Sequence, residues 1–337
     1  MLPLGRQLLN QDKRRSPADI VERLAGMNAQ TKRGPVVGMW TRTAGYDHGE
    51  YVAALRRYDL VRANLMRGTV HLVTRRQYLA WRACLQPVAE RMVKQYCPDL
   101  WEAADHDTVL AAGRELLLAS PGLTRAQIGA GLAPRFPGAR PRDLGFAVRM
   151  LLPVVEVADT DPWVSARTAY VLAESVLGEP LGPAGAGSAD LARSYLGAFG
   201  LATAADFGYW SGMTGAATLM ADAETNVVAT GQRPLFDVSD PPPGEAARAA
   251  FVLPEFDNLL FCRKDHPGLA AAKYKLSYGS GQMHGCVLAA DDVVAHWTLQ
   301  GGSPDRCDWG SEMPTVTAEW DSFARWYTAM DTETAPY

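Results

Sequence analysis

Residues 124–164 spell out a complete small unit. The run L-T-R-A-Q-I-G-A-G-L sets a capping Thr124 before a short apolar helix, and residues 144–151 supply another. Residues 154–157 and 163–164 then read as two short strands turned at Asp161-Pro162. Two or three short helices followed by a hairpin is the order of a winged helix, a helix-turn-helix with an added β-ribbon. That order constrains the whole chain, because it returns on either side of the unit.

On the N-terminal side, Ser16-Pro17 followed by Ala18-Asp19 joins a cap, a first-turn proline and an acid that complements the helix dipole. Ile20, Leu24 and Met27 recur at helical spacing, and Gly26 predicts that the helix frays at or just after it. A helix over 51–60, a strand over 70–73 and an amphipathic helix over 77–94, with Pro87 a candidate kink, complete this part. Beyond the unit, residues 168–177 read as helical and the uncharged L-G-P-A-G-A-G-S of 181–188 reads as a linker. A helix reopens from Ser188 through Leu191, Tyr195 and Phe199, and Thr203 caps another carrying Phe207 and Trp210. Strands are predicted over 252–254, 259–261, 286–288 and 293–297, with Asp291-Asp292 a hairpin turn. The expectation is an α+β protein of three tandem winged-helix domains over 1–115, 116–182 and 183–337, a number that 337 residues suit.

Charge is distributed unevenly. Residues 1–100 carry 17 Lys and Arg against 8 Asp and Glu, whereas the 137 residues from 201 carry 8 against 18, although the whole chain sums to only −4. A positive first third on an acidic chain suits a local anion-binding face; a solvated Arg-rich surface is the even alternative. Five cysteines (Cys84, Cys97, Cys262, Cys286, Cys307), widely spaced and without C-x-x-C, are expected to be buried thiols. Apolar runs stay under the roughly 18 residues of a membrane span, and the N-terminus lacks a secretory signal pattern, so a cytoplasmic protein is expected.

Four segments carry a resemblance. They are Leu24-Ala25-Gly26-Met27-Asn28-Ala29-Gln30, Arg67-Gly68-Thr69-Val70-His71-Leu72-Val73, the run from Ala198 to Gly212, and Leu253-Pro254-Glu255-Phe256-Asp257-Asn258-Leu259 with its continuation to Asp265. Together and in this order they resemble the AlkZ/YcaQ-like DNA glycosylases, a family of tandem winged-helix domains. The resemblance implies hydrolysis of the N-glycosidic bond of alkylated bases, in some members as self-protection by producers of DNA-alkylating antibiotics. It implies Asn28 and Gln30 as the catalytic pair, with one departure: the family has glutamine where this chain has Asn28, one methylene shorter. It further implies double-stranded DNA carrying an alkylated purine as partner, acted on by a monomer in the nucleoid-bearing cytoplasm, and no cofactor.

The chemistry is consistent with those residue types. A base alkylated at N7 of guanine or N3 of adenine is cationic and a good leaving group, so the remaining work is to place a water and stabilise an oxocarbenium-like sugar. A carboxamide places water through its oxygen and NH₂ but does not take up a proton as a carboxylate does. Residues i and i+2 point apart on a helix and to one side of an extended chain, so a shared site requires the backbone to leave helical geometry near Gly26. Satisfied backbone caps at a helix end are the bland alternative for both amides. His71 and Thr69 are candidate substrate contacts, although a lone strand histidine is more often a hydrogen-bonded core residue, and Asp257 is a candidate for stabilising the sugar cation or orienting an arginine, or a turn-forming acid. Arg42, Arg67, Arg263 and Lys264 are candidate phosphate contacts. No lysine sits in the catalytic element, which favours a monofunctional glycosylase over Schiff-base chemistry. Asp105-His106-Asp107 reads as a solvated turn rather than a metal site. The rival function is a non-enzymatic winged-helix regulator or drug-sequestering protein.

Overall fold

A computed structural model describes residues 4–158, 161–223, 225–229, 234–241, 248–279, 281–289, 291–310 and 313–333. Its first helix, Pro17–Arg23, begins where Ser16 Oγ accepts the Asp19 amide at 3.1 Å. It ends as Ala25 and Gly26 turn to φ 55° and 82°, and the chain passes into strand β1 (Met27–Asn28). With β2 (Leu60–Asn64) and β3 (Val70–Thr74) it forms an antiparallel sheet in the order β1-β3-β2. A Cβ at Gly26 would lie 2.9 Å from Val73 Cγ1 and 3.2 Å from the Leu72 carbonyl, so both the positive φ and the close approach to β3 require glycine.

Two expected helices are redrawn here. The helix predicted over 51–60 runs instead over His48–Arg56, because Leu60 already opens β2 and pairs with Thr74. The single helix predicted over 77–94 is two, Arg75–Trp81 and Gln86–Tyr96. Pro87 lies in the first turn of the second, where its missing N–H costs no helical bond.

The second unit comprises helices His106–Ala119, Arg125–Leu132 and Pro141–Leu151, then a wing of β4 (Val154–Glu156) and β5 (Tyr170–Leu172). Residues 163–164 are not the second strand. Asp161 accepts the Trp163 amide at 2.8 Å, and the indole is buried. Residues 170–172, predicted helical, form that strand, because Tyr170 exchanges backbone bonds with Leu123 and Gly122 as well as pairing with β4; only Ala173–Leu177 is helix. These tertiary bonds outweigh local propensity.

The stretch 181–188 is not a linker. A helix begins at Ala184 and runs to Phe199, and a Cβ at Gly187 would lie 2.1 Å from the Ala80 carbonyl. Its small residues serve close helix packing against Arg75–Trp81. One apolar core accordingly crosses from Val61, Trp81 and Val88 to Tyr195, Phe199, Trp210 and Leu253, while the second unit keeps a core of its own around Val109, Ile128, Leu144 and Val148. The last sheet orders Ser303–Asp308, Asp292–Gln300, Gly285–Ala289 and Ala250–Leu253, all antiparallel, against the final helix Pro314–Glu333. Residues 259–261, predicted as strand, belong to a 3₁₀ turn, Asn258–Phe261. Four cysteines are buried as expected, but Cys307 is exposed on the edge strand. No helix among the described residues is long and apolar enough to cross a membrane. The result is a mixed helix-and-sheet protein of winged-helix architecture.

Where helices Arg125–Leu132 and Pro141–Leu151 cross, a Cβ on Gly129 would stand 1.9 Å from the Pro141 carbonyl. We expect Gly129→Ala to force the backbones apart and lower stability by about 1–3 kcal/mol in urea melts. Gly185→Ala, with nothing within 4 Å of its Cβ, should stay within about 0.5 kcal/mol of wild type. Equal midpoints for the two variants would refute this account of the crossing.

Candidate active site

The element Asn28-Ala29-Gln30 lies at the rim of the first sheet. Asn28 Nδ2 donates to Gln30 Oε1 at 3.0 Å, and the Gln30 amide donates to Asn28 Oδ1 at 3.0 Å. The two carboxamides therefore meet where the chain leaves β1 and bends at Gln30, with Asn28 buried and Gln30 exposed. The turn at Gly26 makes this pairing geometrically accessible. The intervening peptide is held on both sides: the Ala29 amide donates to Val70 O at 2.9 Å, and Arg62 Nη2 donates to Ala29 O at 2.8 Å.

Arg62 is itself anchored by the second unit. Its Nε reaches Glu156 Oε2 at 2.9 Å, and Lys32 Nζ meets the same oxygen at 2.6 Å. Burial pushes the Glu156 carboxyl up, but Arg62 and Lys32 beside it hold it below the usual value. One carboxylate from β4 thus fixes residues on both sides of the amide pair.

His71 stands opposite Asn28 across β1 and β3. It is fully buried, with Nδ1 3.0 Å from Thr69 O and Nε2 3.4 Å from Arg67 Nη2. Burial, with the Arg67 charge adding to it, pushes its pKa down to about 3, so the ring is neutral at physiological pH, Nδ1 donating and Nε2 accepting. Thr69 Oγ1 donates to Met66 O at 3.1 Å.

A turn from the C-terminal third runs alongside the element. Asn258 Nδ2 donates to Gly26 O at 3.1 Å, and Arg42 grips Asp257 with Nη1 and Nη2 at 3.0 and 3.1 Å. Asp257 also accepts the Leu259 amide at 3.0 Å. A small pocket joins Asn28, Met27, Asp257 and Asn258. A larger groove of about 400 Å³ opens beyond it, floored by Trp163, Trp297 and Tyr327 and walled by Thr31, Arg33 and Glu255. Arg33 lies 4.4 Å over the Trp163 ring and bonds Tyr327 Oη at 2.8 Å and Asp331 at 2.9 Å.

The structure therefore brings Asn28, Gln30 and His71 together, with Asp257 close behind Asn28. The expected phosphate contacts separate. Arg42 is 1% exposed and committed to Asp257, Gly38 O and Gln7 O, so it has no face for DNA. Arg67 donates to Trp210 O and lies over the Phe261 ring, and Arg263 caps Phe199 O at 2.9 Å and bonds Leu201 O. Lys264 is exposed. Asp105 caps the His106–Ala119 helix through the Thr108 amide.

A model of the DNA glycosylase AlkZ-like family matches residues 21–306. The chain belongs to this family. The match spans the amide pair, the His71 strand and the Asp257 turn, so the enzyme is a DNA glycosylase and its partner is DNA. Among solved structures, the Streptomyces sahachiroi DNA glycosylase AlkZ is similar in fold, with a TM-score of 0.79 at 19% identity, over 97% of this chain and 95% of that one. No curated protein matches this sequence.

Sequence reasoning missed Arg62, Glu156 and Glu255 as parts of the site. Glu255 is readable as a carboxylate within the Leu253–Leu259 stretch; Arg62 and Glu156 stand 94 positions apart and only the fold joins them.

Arg42 and Asp257 tie the C-terminal turn to the first unit from inside the protein. Arg42→Met leaves the carboxylate buried without its cation, and urea melts should show a loss of about 3–5 kcal/mol. Adding Asp257→Asn should recover part of it. A single variant within 1 kcal/mol of wild type would show that the pair does not anchor the turn.

Proposed function

We propose that this glycosylase hydrolyses the N-glycosidic bond of N-alkylated purines in duplex DNA, N7-alkylguanine foremost and bulky natural-product adducts among them, as self-protection against a DNA-alkylating antibiotic. The observation that carries this reading is the locked pair of carboxamides. Their mutual bonds commit Asn28 Oδ1, Asn28 Nδ2 and Gln30 Oε1, so the Gln30 NH₂ and the remaining lone pairs are offered to a water and to the sugar. Neutral amides suit a substrate that is already cationic, since the leaving purine then needs no proton and the task of the pair is to hold the water in line. An undamaged base, whose departure needs acid assistance, is excluded by the same chemistry.

The shorter Asn28 supports a role in pocket shape. It reaches Gln30 across the bend that follows β1, and a longer glutamine there would have to displace either Gln30 or the pocket wall formed by Asp257 and Asn258. His71, neutral and opposite Asn28, backs the pair; Thr69 orients His71 through its carbonyl. Asp257 acts through Arg42 and the turn. We assign the exposed Lys264 as a phosphate contact, and leave Arg67 and Arg263 the task of holding the carbonyls they cap. The enzyme acts as a monomer at the nucleoid.

The test is single-turnover release from duplexes bearing N7-methylguanine or a bulky N7-guanine adduct. Gln30→Ala should slow release about 10²-fold while DNA affinity is retained, and Asn28→Gln should shift the preference between the two lesions. Undiminished release by Gln30→Ala would sink the assignment of the pair. Separately, Lys264→Ala should weaken binding uniformly across sequences and reduce the salt slope by about 1; an unchanged slope would remove Lys264 from the DNA face.

A further inference from the structure

Hydrolysis of a cationic N-alkylpurine deoxyriboside releases one proton. Water oxygen bonds to C1′, the C1′–N electron pair stays with the purine, which leaves neutral, and the water must lose a proton to become the sugar hydroxyl. Neither Asn28 nor Gln30 takes up that proton. His71 is a poor acceptor, being buried with its Nε2 turned to Arg67. Glu156 is neutralised by Arg62 and Lys32, and Asp257 by Arg42.

We propose that Glu255 is a further catalytic residue of this enzyme, the general base whose carboxylate accepts the proton of the water held by the amide pair. The inference rests on the glycosylase reading of Asn28 and Gln30. Its geometry begins with Phe256, which sits at φ 60°, a left-handed conformation that costs a bulky residue about 1–2 kcal/mol. That residue lies between two acids with opposite fates. Asp257 turns inward to Arg42, whereas Glu255 enters the wall of the open groove.

There it meets the residue that follows the amide pair. Thr31, the residue after Gln30, donates from Oγ1 to Glu255 Oε2 at 3.4 Å. Pro254 approaches Gly34 and Gly38, where Cβ atoms would lie 3.8 and 3.5 Å from its ring. Asn258 reaches Gly26 O at 3.1 Å, so the turn is fastened to the element on both sides of Glu255. Among the described residues no Lys or Arg forms an ion pair with Glu255. The charged and titratable groups that face it are Arg33 and Lys32 on the loop after Gln30 and Tyr327 on the last helix, with Arg33 itself paired to Asp331.

The environment matches the task of a base. Burial raises the Glu255 carboxyl above the usual glutamate value, against the lowering by its own backbone amide, by Thr31 and by Arg33. A raised carboxylate is a stronger base when ionised. The base must be ionised to act, so the rate falls as pH drops through this raised value and is full above it.

The experiment is single-turnover release of N7-methylguanine from duplex DNA between pH 5 and 9, corrected for spontaneous loss, with folding followed by circular dichroism. Wild type should show an acid limb lying above the ordinary carboxylate range. Glu255→Gln should be slower by about 10²-fold and should lose that limb, with DNA affinity kept; Glu255→Asp should retain it. Thr31→Val keeps the carboxylate and removes a bond to its charged form, so its limb should move to higher pH, which serves if Glu255→Gln does not fold. Release by a folded Glu255→Gln at the wild-type rate and pH profile overturns the proposal and leaves the amide pair standing. An unmoved limb in Thr31→Val overturns it too. No release by wild type at any pH overturns the glycosylase reading and this inference with it.

Discussion

The buried Arg42–Asp257 pair joins the first unit to a turn from the C-terminal third. Arg42 follows the Gly34–Trp40 helix, and Asp257 starts a turn more than two hundred positions later; both are almost fully shielded from water. A guanidinium in that setting requires its carboxylate, and the pair is satisfied only when the C-terminal turn is seated on the first unit. Everything that the turn brings to the amide element follows from that seating: Asn258 on the Gly26 carbonyl, Pro254 against the glycines of the Gly34–Trp40 helix, and Glu255 beside Thr31.

The second unit holds the amide element through Glu156. Glu156 comes from the wing strand and pins Arg62, which pins the Ala29 carbonyl between the two amides. Catalysis by neutral amides depends on placement more than on acid strength, because hydrogen bonds to a water are worth little unless their direction is fixed. The bonds above and below Ala29, from Val70 and Arg62, supply that direction. The groove floored by Trp163, Trp297 and Tyr327 draws its aromatic surface from the loop between the two wing strands, the Asp292–Gln300 strand and the last helix.

Much of the site was readable from residue order. Gly26 as the end of helical geometry followed from residue type, and the chain does leave the helix there to enter β1; Asn28 and Gln30 then meet across a bend rather than along an extended strand. The arginines were not readable in this way. Arg42, Arg67 and Arg263 lie in segments that matter, but their guanidiniums turn inward to Asp257, Trp210 O and Phe199 O, and a sequence does not say which way a long cation points. Small-residue stretches were ambiguous for a related reason: the glycines of 181–188 look flexible in isolation, yet Gly187 is there because the Ala80 carbonyl lies where its Cβ would be.

The sequence by itself determined the local events: caps at Ser16, Thr124 and Thr203, the stop at Gly26, and the succession of helices and wings that these punctuate. Such features depend on backbone bonds within a few residues, so neighbouring side chains settle them. Tertiary structure decided which charges are paired, which strand completes the wing, and that Glu156 and Glu255 come from two distant parts of the chain to residues beside one amide pair. Those outcomes depend on desolvation and long-range contact, and both arise only when the shared core from Val61 to Leu253 has closed.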